Sequence, residues 1–442
     1  MNPILRFKSI RVKNIKNVIE GKISFPDYDS EAEVRNNIIG IYGQNGSGKT
    51  AVVNAFRIIQ QLFAGLSIER LLSVRTISEP SSELEVEYLI FHEEYQLHVT
   101  YLVKFSELGK VEETISYYNS LSGDRSKVGY TEETILSEQI FIPSARKSTF
   151  GINRQNIIKY LVAATSTRNN YQSFFFNPEV NKLFNETLVD NNFKLIFENT
   201  IKYVHKRMYI IEHSRSAVSS FGIQHPIGLI TTDNEGNNNF FENVFGGYKN
   251  QGTQEQLTKL KEGLKPINLV ISQLVPGFEL MIKNERRIPN PVELVYEFDL
   301  LAKRDNMEFP YSYESDGIKI LVSFIANLIE MYKREDVLVV IDEFDASIFE
   351  FLLGELLQVI KQSGKGQFLF TSHNLRALEV LDTKDIWFTT TNPHNRYIQF
   401  NHIKNNHNLR DTYYRVIQLG GQKEEVYKAC NQSEIRRAFS KV

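Results

Sequence analysis

Residues 38–56 read IIGIYGQNGSGKTAVVNAF, and the fold is read outward from them. Ile38, Ile39 and Ile41 form a continuous apolar run, as in a strand buried on both faces. From Val52 onward, Phe56, Ile59 and Phe63 recur at helical spacing. Between the two lies Gly43-Gln44-Asn45-Gly46-Ser47-Gly48-Lys49-Thr50, a full match to G-x-x-x-x-G-K-T in the strand–loop–helix setting that motif needs. Glycines let the backbone curl with its N–H groups turned inward, making an anion nest at a helix N-terminus. Lys49 is placed to neutralise β- and γ-phosphate charge, and the Thr50 hydroxyl to ligate Mg2+. The expected nucleotide contacts are this loop and Ala51, the first residue beyond it.

A phosphate loop needs acid at the end of a second buried strand. VLVVIDEF (337–344) supplies it: Asp342 to hold Mg2+ through water, and Glu343 to polarise the attacking water. One helix later the strand FLFTSH ends at His373, positioned to reach a γ-phosphate as a switch residue. Upstream of the acid strand, Glu314-Ser315-Asp316-Gly317 opens a helix. Ser315, Asp316 and Gly317 offer a hydroxyl, a first-turn acid and a small residue at that helix tip. The plain alternative for Ser315 is an N-cap. Because the chain's own phosphate site is already served by the Gly43 loop, the order of motifs favours Ser315 facing the γ-phosphate of a second subunit.

Composition narrows the class. The chain has 442 residues, enough for two or three domain-sized units, and the hydrophobic and charged shares (42% and 24%) are those of an ordinary globular protein. A formal net charge of −2 gives no bulk attraction for nucleic acid or membrane. The one cysteine, Cys430, excludes an internal disulfide and a cysteine-based zinc site. No signal-peptide core stands at the N-terminus, and no run reaches the roughly 18 apolar residues a membrane helix needs. The expectation is a cytoplasmic protein.

Four segments are expected. Residues 1–150 hold the N-terminal half of a nucleotide-binding head with the phosphate loop and an antiparallel β-subdomain that returns at Ile140–Ile142. Residues 151–285 form a mainly helical insertion, in which the Asn- and Gly-rich stretch 231–254 reads as a long loop or mobile lid. Residues 286–410 complete the head, and 411–442 form a helical tail.

The order phosphate loop, Ser-x-Gly helix, Asp-Glu strand, His strand resembles the ABC-type ATPase head, shared by SMC proteins and coiled-coil repair ATPases. IRVKNIKNVIEGKISF, ESDGIK, IDEFDASIF, TSHNLRALE and HIKNNHNLRDTYYRVIQLGG bring it nearer to compact bacterial ATPases of the OLD-like group. The resemblance covers about residues 1–60 and 290–425 and implies an α/β fold with a mixed central sheet. It implies phosphate roles for Asn45, Gly46, Gly48, Lys49 and Thr50, a signature role for Ser315 and Gly317, and metal, base and switch roles for Asp342, Glu343 and His373. Lys16 sits where such heads carry an arginine near the nucleotide, and Gln139 precedes the return strand as a metal-sensing glutamine. Glu314 and Asp316 depart from the transporter pattern of an apolar residue and a glycine, and ASIFE departs from the usual subunit-crossing loop.

The expected function is a Mg2+-dependent ATPase switch, with two copies sandwiching two ATP molecules head to tail. The resemblance suggests bacterial anti-phage defence with a separate nuclease or toxin as effector. Two other readings are a slow-turnover scaffold that holds an effector inactive and a DNA-repair-type ATPase stimulated by nucleic acid.

Overall fold

The computed structural model describes residues 2–26, 37–107, 111–130, 154–187, 190–212, 224–232, 238–246, 249–291, 293–346, 348–400 and 409–441. The chain forms two compact units. Unit 1 comprises Met1–Ala32, Asn37–His205 and Thr371–Val442, and unit 2 comprises Glu33–Asn36 and Lys206–Phe370.

Unit 1 opens with β1 (Ile4–Ile15), β2 (Val18–Ser24), β3 (Asn37–Tyr42) and α1 (Lys49–Phe63). Then follow β4 (Ser81–Phe91), β5 (Gln96–Ser106), β6 (Val111–Asn119) and β7 (Arg125–Tyr130). Six of these strands form an antiparallel sheet in the order β2-β1-β4-β5-β6-β7. The cause is plain in β4, where Leu84, Val86 and Tyr88 turn inward and alternate with Glu83, Glu85 and Glu87. Its apolar face takes α1: Phe7 meets Phe56 at 5.5 Å between ring centroids, and Phe63 meets Tyr101 at 5.2 Å. The helices α2 (Arg154–Asn169), α3 (Pro178–Thr187) and α4 (Asn191–Arg207) follow. They come with an aromatic layer in which Phe175, Phe184 and Phe197 lie within 6.5 Å of one another. Glu113 ties this layer to the sheet. It is 1% exposed and accepts from Tyr101 Oη (2.5 Å), Ser173 Oγ (2.6 Å) and the Phe174 N–H (2.6 Å). Burial pushes its carboxyl above the ordinary value.

Unit 2 is built on β8 (Met208–Ile211), β9 (Gln224–Thr232), β10 (Asn238–Gly246), β11 (Lys249–Thr253) and α5 (Gln254–Leu274). It continues with β12 (Phe278–Ile288), β13 (Val295–Arg304), β14 (Met307–Pro310), α6 (Asp316–Lys333), β15 (Leu338–Ile341) and α7 (Glu350–Ser363), and runs out along β16 (Gln367–Ser372). β15 pairs in parallel with β8 on one side and β16 on the other, and all four of its residues are buried. An antiparallel sheet has the order β11-β13-β12, with β14 also on β13. The capping box of Thr253 and Gln256 starts α5.

Two segments differ from the sequence expectation. The Asn- and Gly-rich stretch 231–254 is not one loop: it carries β10, paired along its whole length with β9, and β11, paired with β13. Phe240, Phe241, Val244 and Phe245 give β10 the strand preference that composition masked, and Phe245 is fully buried. The strand β12 had no counterpart in the reading, although Phe278, Leu280 and Ile282 alternate inward. The return strand at 140–142 and Gln139 lie outside the described residues.

The chain re-enters unit 1 through α8 (Ala377–Val380), β17 (Ile386–Thr389), β18 (Tyr397–Ile398), α9 (Leu409–Leu419) and α10 (Gln432–Phe439). β17 pairs in parallel with β3, setting Phe388 beside Tyr42 at the edge of the glycine loop. No described helix is long and apolar enough to cross a membrane.

Candidate nucleotide site

The glycine loop sits between the buried end of β3 and the first turn of α1, as the sequence required. Its glycines are needed for space as well as for conformation. A Cβ on Gly43 would stand 1.6 Å from Thr389 Oγ1. Gly48 has φ +98°, in the left-handed region, and a Cβ there would stand 2.8 Å from Val18 Cγ2. Gly43→Ala should therefore lower stability by about 2–4 kcal/mol and weaken nucleotide binding. Adding Thr389→Ala should recover part of the loss, as a thermal-unfolding double-mutant cycle would record.

Distant parts of unit 1 hold the loop. Ser47 Oγ donates to the Gln44 carbonyl (2.6 Å) and lies 2.5 Å from Thr389 Oγ1. Asn17 donates to the Gly46 carbonyl from the β1–β2 turn, and Tyr397 Oη donates to the Gly48 carbonyl at 2.8 Å. The Gln44 amide grips Lys428 at both backbone groups, donating to its carbonyl at 3.4 Å and accepting its N–H at 3.2 Å.

Arg396 is the least expected member. It is 6% exposed and donates to the carbonyls of Thr390 and Asn17, both at 2.6 Å. Its Nε–H is buried with no acceptor among the described residues, and desolvation pulls the guanidinium below its ordinary value. None of its hydrogen bonds there is to a carboxylate, and its Cγ and Cδ lie against Gly48, so a buried cation is carried on a stem packed against the loop. That charge favours an anion in the loop. Arg396→Ala should lower stability by about 2–4 kcal/mol, and Arg396→Lys should keep more of the ATP affinity than of the stability. Calorimetric titration beside thermal unfolding separates the two. Sequence reasoning missed Asn17, Thr389, Arg396 and Tyr397: residue spacing carries no sign of a turn bond such as Asn17 to Gly46, nor of contacts made across more than 300 residues by the other three.

The predicted loop residues lie where expected. Lys49 is 6% exposed, and its Nζ donates to the Gly43 carbonyl (2.9 Å) and the Gln44 carbonyl (3.1 Å), so its charge is already inside the cradle. Thr50 is half-buried in the first turn of α1, and Ala51 is fully buried behind it. Asn45 is exposed on the loop. Lys16 is exposed at the β1–β2 turn with φ +52°, next to the Asn17 that holds Gly46. His373 is exposed, directly after the end of β16.

In unit 2, Asp342 follows β15, is 7% exposed, and donates its N–H to the Ile211 carbonyl at 2.9 Å. Glu343 has φ +52°, a left-handed backbone rare for a residue with a side chain and concentrated at functional sites. Phe344 anchors that turn against Phe324, Phe368 and Phe370. Ser315 stands at the N-terminus of α6, exposed, and its hydroxyl makes no capping hydrogen bond. The simple N-cap role is thus not the one its side chain plays. Asp316 is exposed and Gly317 half-buried in the same turn.

The residues present fit a nucleotide with magnesium. In unit 1, a cradle clear of side chains and a buried ammonium suit a polyphosphate, and the Thr50 hydroxyl is a hard oxygen donor of the kind Mg2+ takes; in unit 2, taken by itself, the Asp342 carboxylate is another donor of that kind.

A family model described as "AAA domain, putative AbiEii toxin, Type IV TA system" matches residues 38–379. No curated protein matches in sequence. Among solved structures, the SMC head domain from Thermotoga maritima is similar over 90% of this chain and 100% of its own, at 13% identity and a TM-score of 0.38. The Smc head domain from Pyrococcus furiosus, with an extended coiled coil and bound to the C-terminal domain of ScpA, is similar over 95% and 100%, at 12% identity and 0.41. The Smc head domain with a coiled coil and joint from Pyrococcus yayanosii covers 90% and 97%, at 11% identity and 0.42.

Proposed function

The chain belongs to the AbiEii-type AAA-domain family, and from that premise we propose that it is an ATP-hydrolysing switch that works as a homodimer. The observation that carries this is the complete phosphate loop, with Gly43 and Gly48 leaving no room for side chains and Lys49 buried within it. The backbone N–H groups of Gly46 to Thr50 bind the phosphates, and Lys49 exchanges its carbonyl contacts for phosphate oxygens. Thr50 and Asp342 would hold Mg2+, which would screen phosphate charge. Glu343 orients and polarises the attacking water, and His373 senses the γ-phosphate. Gln139 is a further metal-sensing candidate and Lys16 a further nucleotide contact.

Ser315 and Gly317 serve the γ-phosphate bound by the other copy. Support comes from the exposed tip of α6 and a hydroxyl not spent on its own cap. ATP closes the pair head to tail and hydrolysis opens it. The setting is a bacterial cytoplasm, with the protein as the sensing component of an anti-phage system that controls a separate nuclease or toxin. Phosphate release with Mg2+-ATP, measured with and without EDTA, tests the enzymatic part. Release should require the metal, and metal-independent release would argue against it.

A further inference from the structure

The tip of α6 already has an anion of its own. Glu314 is 7% exposed, and its Oε2 accepts the Ser315 N–H at 3.0 Å and Arg304 Nη2 at 3.2 Å. Its Oε1 is buried with no partner among the described residues. Arg304 ends β13, and its side chain is 42% exposed, so water shares its charge. The phenol of Tyr311, fully buried, is pushed up by burial and by the Glu314 charge. A carboxylate therefore sits, incompletely neutralised, at the positive end of an 18-residue helix.

We infer that Glu314 is a built-in competitor for the γ-phosphate at the α6 tip, and that Arg304 sets how strongly it competes. The inference rests on the proposed trans role of Ser315. Both anions draw on the same helix end, and they repel each other where protein screens them less than water does. Arg304 draws off part of that repulsion. The pair thus sets the ATP concentration at which two copies close, and it links that threshold to the sheet containing β13. A single-charged or weakly placed phosphate does not overcome Glu314, whereas the γ-phosphate of a fully seated ATP does.

The test is the ATP concentration for half-maximal dimer formation, followed by light scattering in the Glu343→Gln background so that turnover does not interfere. Glu314→Gln should lower that midpoint about tenfold and flatten its salt dependence, and Arg304→Ala should raise it by a similar factor. Glu314→Gln combined with Arg304→Ala should behave as Glu314→Gln alone, since Arg304 acts through the carboxylate. A merely structural pair would shift both single variants the same way, toward weaker assembly. That result, or an unchanged midpoint in Glu314→Gln, overturns the inference. Ser315→Arg in the same assay separates the layers: if it still assembles with ATP, the trans reading beneath the inference fails as well.

Discussion

Glu343→Gln should bind Mg2+-ATP as tightly as the parent protein yet turn it over about 10^2–10^4-fold more slowly, the range for loss of a positioned general base. ATP should then accumulate in a closed dimer visible by sedimentation. Gln fits the left-handed turn at 343 about as well as Glu, and Phe344 keeps that turn in place through its three ring contacts, so the substitution removes the carboxylate charge while leaving the backbone of the turn as it is. Phosphate release at the parental rate would take Glu343 out of the mechanism.

Ser315→Arg should abolish ATP-dependent assembly while each monomer keeps its nucleotide affinity. Position 315 is exposed and its hydroxyl does not cap α6, so the helix has no structural need of serine there. The thermal transition without nucleotide should move by no more than about 0.5 kcal/mol of stability, as for ordinary surface substitutions. A bulky side chain at the tip would instead block approach of another copy's phosphate. Normal assembly and turnover in this variant would leave Ser315 without a role in the site.

The parts of the site that sequence made legible are those whose chemistry is local. Eight consecutive residues from Gly43 to Thr50 encode strand exit, anion nest, lysine and helix start, so no distant contact was needed to read them. The acid turn after β15 was legible for the same reason. Arg396, Tyr397 and Thr389 were not: each is an ordinary residue of a late strand or turn, and it becomes part of the loop only through pairing of β17 with β3 and through bonds across unit 1. The start of α6 was legible in the sequence, whereas the bond from the Ser315 N–H to Glu314 was not, because nothing in residue spacing shows a side chain turning back onto the next residue's N–H. In β10 the asparagines masked a strand that the phenylalanines specify, since pairing with β9 outweighs local composition.

The central claim is that two copies each lend the other a helix tip across a triphosphate. It is tested most directly by an experimental structure of the Glu343→Gln protein assembled with Mg2+-ATP. The account predicts Ser315 Oγ within about 3 Å of a γ-phosphoryl oxygen whose loop belongs to the second copy. An assembled dimer in which both Ser315 side chains lie away from every bound phosphate would contradict it.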